Sequence, residues 1–448
     1  MAQPAIQRTT AVPTAPERAG RGRRARAITS FAMLAVHHCG SGRDPIGLLG
    51  RQAQTRLPDL VPLHYSRMSD GAFAFSRGSA LLMADDLYRA PNSGLRVQLC
   101  GDAHLSNFGF FGSPEQVPVF GIDEYDETHP GPFEWDVKRL VTSLAIAADE
   151  TGCTVAQRDR ITRACAAEYR ETMAAAAERG TLAVWYAGVE SGVAPPANEA
   201  APRAADELTD MLDGAHRIIS VPPTVVPIEE LFADADECYR NLIGRLSAFR
   251  TTLRWETRVL VDQFELIQAA RTAIGVRSVG ARVWLLYLRG VVDRDPLLLQ
   301  AKEAQPSVLA GYLGGPSFAN QGERVVEGQR LMQHTPDPFL GWASGWDLDG
   351  ARRDFYLRRH VDRTGPAEVE SLSATGLTGY GRACARVLAQ AHARSGDRIA
   401  IASYLGSTDE FDDAMVSFAT SYSEQNQLDH AALLAAIADD RITAPLGT

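Results

Sequence analysis

Several features that would narrow the function of this chain at once are missing. None of its six cysteines (Cys39, Cys100, Cys153, Cys165, Cys238 and Cys384) falls in a C-x-x-C pair, which removes zinc-ribbon and thioredoxin-like readings. Spread singly, they read as small core residues of a reducing compartment. Apolar runs of about 18 residues are absent, so no membrane span is expected. Positive charge is in deficit: the formal net charge is −10, and non-specific nucleic-acid binding is not expected despite an Arg-rich start. The first thirty residues lack the apolar stretch of a secretory signal. Their Pro, Ala, Gly and Arg content predicts a mobile tail over 1–30. A cytoplasmic location follows as the expectation. No internal repeat is visible.

What is present is ordinary in bulk and specific in detail. The 448 residues are 45% apolar and 22% charged, the balance of a globular protein able to fill two or three cores. Residues 31–273 read as mainly helical. Within them a strand over LRVQLC precedes two short strands, Phe108–Gly112 and Val117–Ile122, joined by a Ser-Pro turn. Trp135–Ala148 follows as an amphipathic helix. Residues 191–203 read as a loop and 228–273 again as mostly helical. The period changes at Ile274: GVRSVGARVWLLYLRG and DPLLLQAKEA predict a β-hairpin. Gly322–Gln333 reads as a helix, Phe355–Val361 as a strand, and Tyr380–Arg394 and the remainder as helices.

The densest chemistry lies in CGDAHLSNFGFFGSPEQVPVFGIDEYDETHPGPFEWDVKR, residues 100–139. Asp102 and Asn107 stand five apart, and Asp123, Glu124, Asp126 and Glu127 follow after a hairpin. An acid, then an amide, then further acids is the order found where magnesium assists phosphoryl transfer. Asp102 is suited to accept a hydroxyl proton. Asn107 and one of Asp123, Glu124 and Asp126 are suited to hold magnesium, which prefers hard oxygen ligands. Strand alternation separates Asp123 from Glu124, and the shorter aspartates are favoured. Glu127 reads as solvated. His104 reads as a hydrogen-bonding organiser of the loop, and Asp136 as a helix cap or a support for that loop. A turn that bonds only its own backbone would leave the second acidic group without a purpose.

A second group is Gly275, Gly280 and Lys302. Glycines at a strand–turn–strand let backbone approach phosphates, and a lysine on the next strand can pair with them. Lys302 follows Leu297-Leu298-Leu299 on an apolar strand and needs an anionic partner, for which Glu323 and Glu327 are candidates. Arg67 and Arg77 upstream fit salt bridges better than an anion site.

The stretches GDAHLSNFG, EYDETHPGPFEWDVKRL, SVGARVWLL, LLLQAKEA, ERVVEGQRLMQ, DPFLGW and LAQAHARSGD together resemble the bacterial family called Domain of Unknown Function 2252, over about residues 60–430. That resemblance implies a protein-kinase-like fold, near aminoglycoside phosphotransferases and choline kinases. In those enzymes a histidine-glycine-aspartate loop ending in asparagine supplies base and metal ligand. Here Cys100 stands where their histidine stands, Asp102 takes the place of the base and Asn107 that of the ligand. Glu124 falls on the metal acid's place, with Asp123 one residue earlier. Arg277 replaces a usual middle glycine. The glycine turn and Lys302 follow Asp102 in the chain, the reverse of the ordinary order, which implies a circular permutation.

The expected architecture is therefore α+β, a permuted kinase-like bilobal fold with extra helices. Residues 31–273 with the catalytic stretch 94–148, together with 362–448, would form the large lobe, and 274–361 the small β-rich lobe and hinge. The expected activity is ATP- and Mg2+-dependent transfer to a hydroxyl-bearing acceptor, a small molecule or a protein. A nucleotide-binding pseudokinase and a metal-dependent hydrolase built on Asp102, His104 and Asp123 are the alternatives.

Overall fold

A computed structural model describes residues 12–37, 40, 42–114, 117–188, 212–213, 217–273, 279–292, 295–315, 318–347, 349–360 and 369–444. Ten strands occur among them: β1 Arg96–Leu99, β2 Phe108–Gly112, β3 Pro118–Ile122, β4 His129–Pro132, β5 Val225–Pro227, β6 Glu265–Thr272, β7 Val283–Arg289, β8 Pro296–Ala304, β9 Gly341–Trp346 and β10 Arg352–Arg359. The long helices are α1 Ala15–Ile28, α2 Glu134–Glu150, α3 Val155–Glu178, α4 Ala235–Thr252, α5 Gln321–Met332, α6 Ala374–Ser395 and α7 Glu410–Ala438. The class is mixed α+β. No helix among the described residues is long and apolar enough to cross a membrane.

Apolar residues gather into two main cores. The larger is helical. It joins Phe108, Phe133, Leu140 and Leu144 to Tyr169, Leu388, Phe411 and Phe418, so it draws on both the first and the last parts of the chain. Helix α2 runs through its middle, buried from Glu134 to Ala148. The second core lies on one face of a six-stranded antiparallel sheet of order β5-β6-β7-β8-β10-β9. There Leu297, Leu299 and Ala301 of β8 and Phe355 and Leu357 of β10 pack on Leu242 and Phe249 of α4. Helix α5 connects β8 to β9 and sends Val325, Val326 and Met332 into the large core.

Strand alternation decides what the sheet offers to the rest of the molecule. Side chains at successive positions point to opposite faces. With Leu299 and Ala301 in the core, Lys302 emerges on the other face. Tyr356 sits opposite Lys302 in the β8–β10 register, and Arg358 opposite Gln300. One face of two neighbouring strands thus carries Lys302, Tyr356 and Arg358 together. Glu303 takes the core-side face, where Arg282 at 3.2 Å and Arg353 at 3.5 Å hold it.

Two expectations need correction. Residues 15–28 of the predicted mobile tail form helix α1, which packs on the helix Arg398–Leu405 through the buried Gly22. A side chain on Gly22 would overlap the Ala400 carbonyl, so the small residues that read as disorder are what permits close approach. Arg26 also lies over the Phe31 ring at 4.0 Å and pairs with Glu410. The first eleven residues lie outside the described set. Second, 228–273 is helical only to Val261; Glu265–Thr272 is strand β6. Its Gln, Ala and Arg content favours helix locally, but Ala269 and Ala270 are fully buried between β5 and β7, and tertiary context overrides propensity. The sheet consequently starts ahead of residue 274.

Candidate functional site

The loop after β1 is fixed from beneath by the buried helix α2. Asp136 accepts the backbone N–H of Cys100 at 2.8 Å and of Gly101 at 3.1 Å. Its other neighbour is His392 of α6, with Nε2 at 3.2 Å, and His392 Nδ1 lies 2.8 Å from the Tyr169 hydroxyl. Asp136 is therefore a support of the loop, and the residue before α2 is Phe133, with no side-chain cap. Gly101 adopts φ +87°, the left-handed region open to glycine. It turns the chain from β1 into Asp102.

Asp102 is 1% exposed, and Arg139, one helical turn beyond Asp136, reaches it with Nε at 2.8 Å from Oδ1. Arg139 also bonds the Ser76 carbonyl. His104 Nε2 is 3.7 Å from Asp102 Oδ2. The His104 N–H donates to the Asp102 carbonyl at 2.8 Å, and its own carbonyl accepts the Asn107 N–H at 2.9 Å. That is an organising role. Asn107 Nδ2 donates to the Asp102 carbonyl at 2.7 Å, which leaves the Asn107 amide oxygen for another partner.

The hairpin β2–β3 carries the chain from Asn107 to Asp123 and back. Phe108 pairs with Ile122, and the next pair outward is made by the Asp123 N–H, which donates to the Asn107 carbonyl at 2.9 Å. Asn107 and Asp123 are thus neighbours by construction, although they lie 16 residues apart.

The acidic loop that follows is where the sheet meets the large core. Lys302 Nζ is 3.0 Å from Glu124 Oε2 and is bonded also by Asp126. The Tyr356 hydroxyl donates to Asp126 Oδ1 at 2.6 Å. Arg358 donates to Glu124 Oε1 at 2.7 Å and to the Asp123 carbonyl at 2.6 Å, with Asp123 Oδ1 at 3.8 Å. Arg324 of α5 bonds the carbonyls of Asp126, Thr128 and Gln305. Burial alone would push the Arg358 guanidinium down, but Glu124 and Asp123 outweigh it and hold Arg358 well above the usual arginine range. Burial, with Asp126 and Glu124 close by, raises the Tyr356 phenol well above its ordinary value. Both groups keep their protons throughout the physiological range.

Lys302 therefore takes its acid from the loop after β3, not from α5. Glu327 pairs with Arg330 at 2.8 Å, and the residue of α5 that reaches the site is Arg324. Glu127 is not merely solvated: its Oε2 accepts the Val308 N–H at 2.6 Å. Gly275 and Arg277 lie outside the described residues; Gly280 is present with φ +86°. Arg139, Tyr356, Arg358 and His392 escaped the sequence reading. For Tyr356 and Arg358 a signal existed, because both alternate with Phe355 and Leu357 on a strand whose other face is apolar. For Arg139 and His392 the helical pattern gave none.

Among the described residues no three His, Cys, Asp or Glu side chains come together as a ready metal cradle. Asn107 and Asp123, which carry an amide and a carboxylate, are joined by a backbone hydrogen bond. That donor set suits magnesium arriving with its phosphate oxygens, since magnesium is commonly held by one or two carboxylates plus substrate.

No curated protein and no solved structure matches the chain. Its residues 56–436 match the family model described as an uncharacterized protein conserved in bacteria (DUF2252), and on that span the chain belongs to this family.

Proposed function

We propose that the protein is an ATP- and magnesium-dependent phosphotransferase with a permuted kinase-like site, acting on a hydroxyl-bearing acceptor. One observation carries the reading. Lys302, two hundred residues beyond Asp102, is bonded by Glu124 and Asp126, in the loop whose first residue, Asp123, is tied to Asn107. The lysine and the acid–amide pair thus belong to one neighbourhood. Lys302 lies inside an antiparallel sheet, on β8 between β7 and β10, and the phosphate-pairing lysine of kinases is likewise carried on a strand.

In this reading Asp102 accepts the proton of the acceptor hydroxyl as the oxygen–phosphorus bond forms and the bond to the nucleotide's leaving oxygen breaks. Arg139 holds the carboxylate in place. The Asn107 side chain, fixed by the Asp102 carbonyl, and the Asp123 carboxylate would hold magnesium, which supplies charge neutralisation at the phosphates. Lys302 exchanges its present acids for phosphate oxygens. Most of the rate comes from positioning and charge stabilisation.

The pseudokinase alternative draws on the same contact. Lys302, Tyr356 and Arg358 occupy Glu124 and Asp126, so those acids are committed to the sheet. The hydrolase alternative lacks a set of three ligands among the described residues.

The test is thermal shift with ATP, with and without magnesium, followed by turnover. ATP should stabilise the protein, Lys302→Met should abolish the shift, and Asp102→Asn should keep the shift while removing turnover. Asparagine retains an acceptor for Arg139. Absence of any shift in the wild type overturns both nucleotide readings; a shift without turnover under any acceptor leaves the pseudokinase.

A further inference from the structure

Helices α3 and α6 lie side by side and run in the same direction. A Cβ added at Gly381 would stand 3.7 Å from the Cys165 side chain, and Arg386 donates to Glu168 at 2.8 Å. Arg398, just past α6, donates to the Ala176 carbonyl at 2.9 Å near the end of α3. The first turns of the two helices therefore meet at one end of the pair. An open cleft of about 650 Å³ lies between them, bordered by Arg160 from α3 and Arg382 from α6.

Both arginines are exposed, and among the described residues neither has an ion pair or a hydrogen bond. This sets them apart from their neighbours on the same helices. Arg158 pairs with Asp149 and Asp159, Arg163 with Asp413, Arg170 with Asp412 and Arg386 with Glu168. Among the described residues no acidic side chain lines the cleft. The described acids nearest in sequence are Asp159, held by Arg158, and Glu370, ahead of α6. Neither helix has an acid in its first turn, where the macrodipole favours one. In a chain of net charge −10, two guanidinium groups and two positive helix ends thus face one cleft without a counter-charge lining it. An anion is what they would bind.

Size and charge narrow the ligand. The cleft falls within the roughly 300–1,000 Å³ of small-molecule sites. Two guanidinium groups match the two negative charges of a phosphate monoester near neutral pH. Thr375 and Gln157 add neutral donors on the lining; Gln157 Oε1 accepts the Thr154 N–H at 2.8 Å, so its amide nitrogen is left to donate. Ile161 and Ala164 give apolar surface for an uncharged body. Tyr380, on another face of α6, donates to the carbonyls of Leu105 at 3.1 Å and Phe108 at 2.7 Å, so the helix itself stands between the cleft and the loop after β1. We propose that the cleft between the starts of α3 and α6 binds a small organic phosphate, a dianionic monoester, through Arg160 and Arg382. The site is distinct from the one around Asp102 and Lys302 and is independent of the chemistry proposed there.

Calorimetric titration of phenyl phosphate, inorganic phosphate and benzoate into wild type, Arg160→Gln, Arg382→Gln and the double variant tests it, at about pH 7.5, where the ester is dianionic. Wild type should bind phenyl phosphate more tightly than inorganic phosphate, which lacks the apolar body, and than benzoate, which carries one charge. Each single substitution should weaken phenyl phosphate about tenfold, the scale of one charged hydrogen bond. The double variant should lose measurable binding. Both side chains are exposed, so folding survives either change, and Arg382→Lys should recover part of the affinity that Arg382→Gln loses. Absence of phenyl phosphate binding to wild type overturns the proposal, as does binding that survives in the double variant. Benzoate bound as tightly as phenyl phosphate overturns the assignment to a phosphate, and equal affinity for inorganic phosphate the assignment to an ester.

Discussion

At the scale of single residues, helix α2 is unusual in burying charge inside a large apolar core, and each charge there has a job or a cost. Asp136 and Arg139 hold the loop that carries Asp102. Glu134 binds Ser93 through its hydroxyl at 2.8 Å and through its N–H. Among the described residues Lys138 has the Phe418 ring, 4.2 Å from its Nζ, and the field of Glu134. Burial outweighs that field and brings Lys138 down to about 8. The sign of the consequence follows from proton counting. Between about pH 8 and the unfolded value near 10.4, the unfolded chain holds a proton that the folded chain has lost, so the contribution of Lys138 rises with pH in that window. Below it the full cost of a buried ammonium persists. Burial raises the Cys100, Cys165, Cys238 and Cys384 thiols, which pull stability the other way above about pH 8.5. The difference between two proteins isolates the lysine. Lys138→Met, which keeps the contact with Phe418, should be more stable than wild type in urea at about pH 7, and from about pH 8 to about pH 10 that advantage should shrink by at most roughly 1.4 kcal/mol per pH unit. An advantage that does not change with pH would count against this account.

At the scale of elements, the glycine before Asp102 carries the sharpest geometric demand. Gly101 has φ +87°, and a Cβ there would collide with the Glu127 carbonyl and its neighbouring atoms. The two loops of the site therefore touch through bare backbone. Gly101→Ala should cost about 1–2 kcal/mol from the left-handed backbone alone, with the collision added to it, and should displace Asp102 and the acidic loop together. Denaturant midpoints and turnover should fall in parallel; a loss of stability with full turnover would show that the loops move independently. The elements themselves were largely legible. The alternation of Phe108–Gly112 and Pro118–Ile122, the periodicity of α2 and α6, and the apolar β7–β8 hairpin all announce what they form. Strand β6 was not, because its residues carry helical preference and only the flanking strands make it extended. Asp102, Asn107 and Lys302 could be singled out by type and spacing. Arg358 and Arg324 could not be assigned to the acidic loop, because nothing in a linear pattern says which face of a sheet meets which loop.

At the scale of the whole molecule, the large core is built from two chain segments with the sheet between them in sequence. Tyr422 and Asp429 of α7 reach back to Asp86 and Arg43, at 2.8 Å for Tyr422 to Asp86, and α6 supplies His392 to Asp136 under the loop after β1. A chain ending at residue 360 would keep every strand of the six-stranded sheet and lose α6 and α7. Hydrogen exchange of that truncation should find β7 and β8 still protected and α2 exchanging freely. Continued protection of α2 would mean that the large core closes without its last helices. The sheet remains tied to the acidic loop by Lys302, Tyr356, Arg358 and Arg324 in either case.

The position of His392 also sets an order in time. Asp136 needs both the Cys100–Gly101 amides and the imidazole of His392, and synthesis supplies them far apart. At about 5–20 residues per second, a ribosome completes α6 tens of seconds after the loop it supports has emerged. Through that interval the nascent loop has one of its two struts, and the apolar surface awaiting α6 and α7 stays open to solvent or to a chaperone. Assembly of this neighbourhood is thereby postponed until α6 has been made.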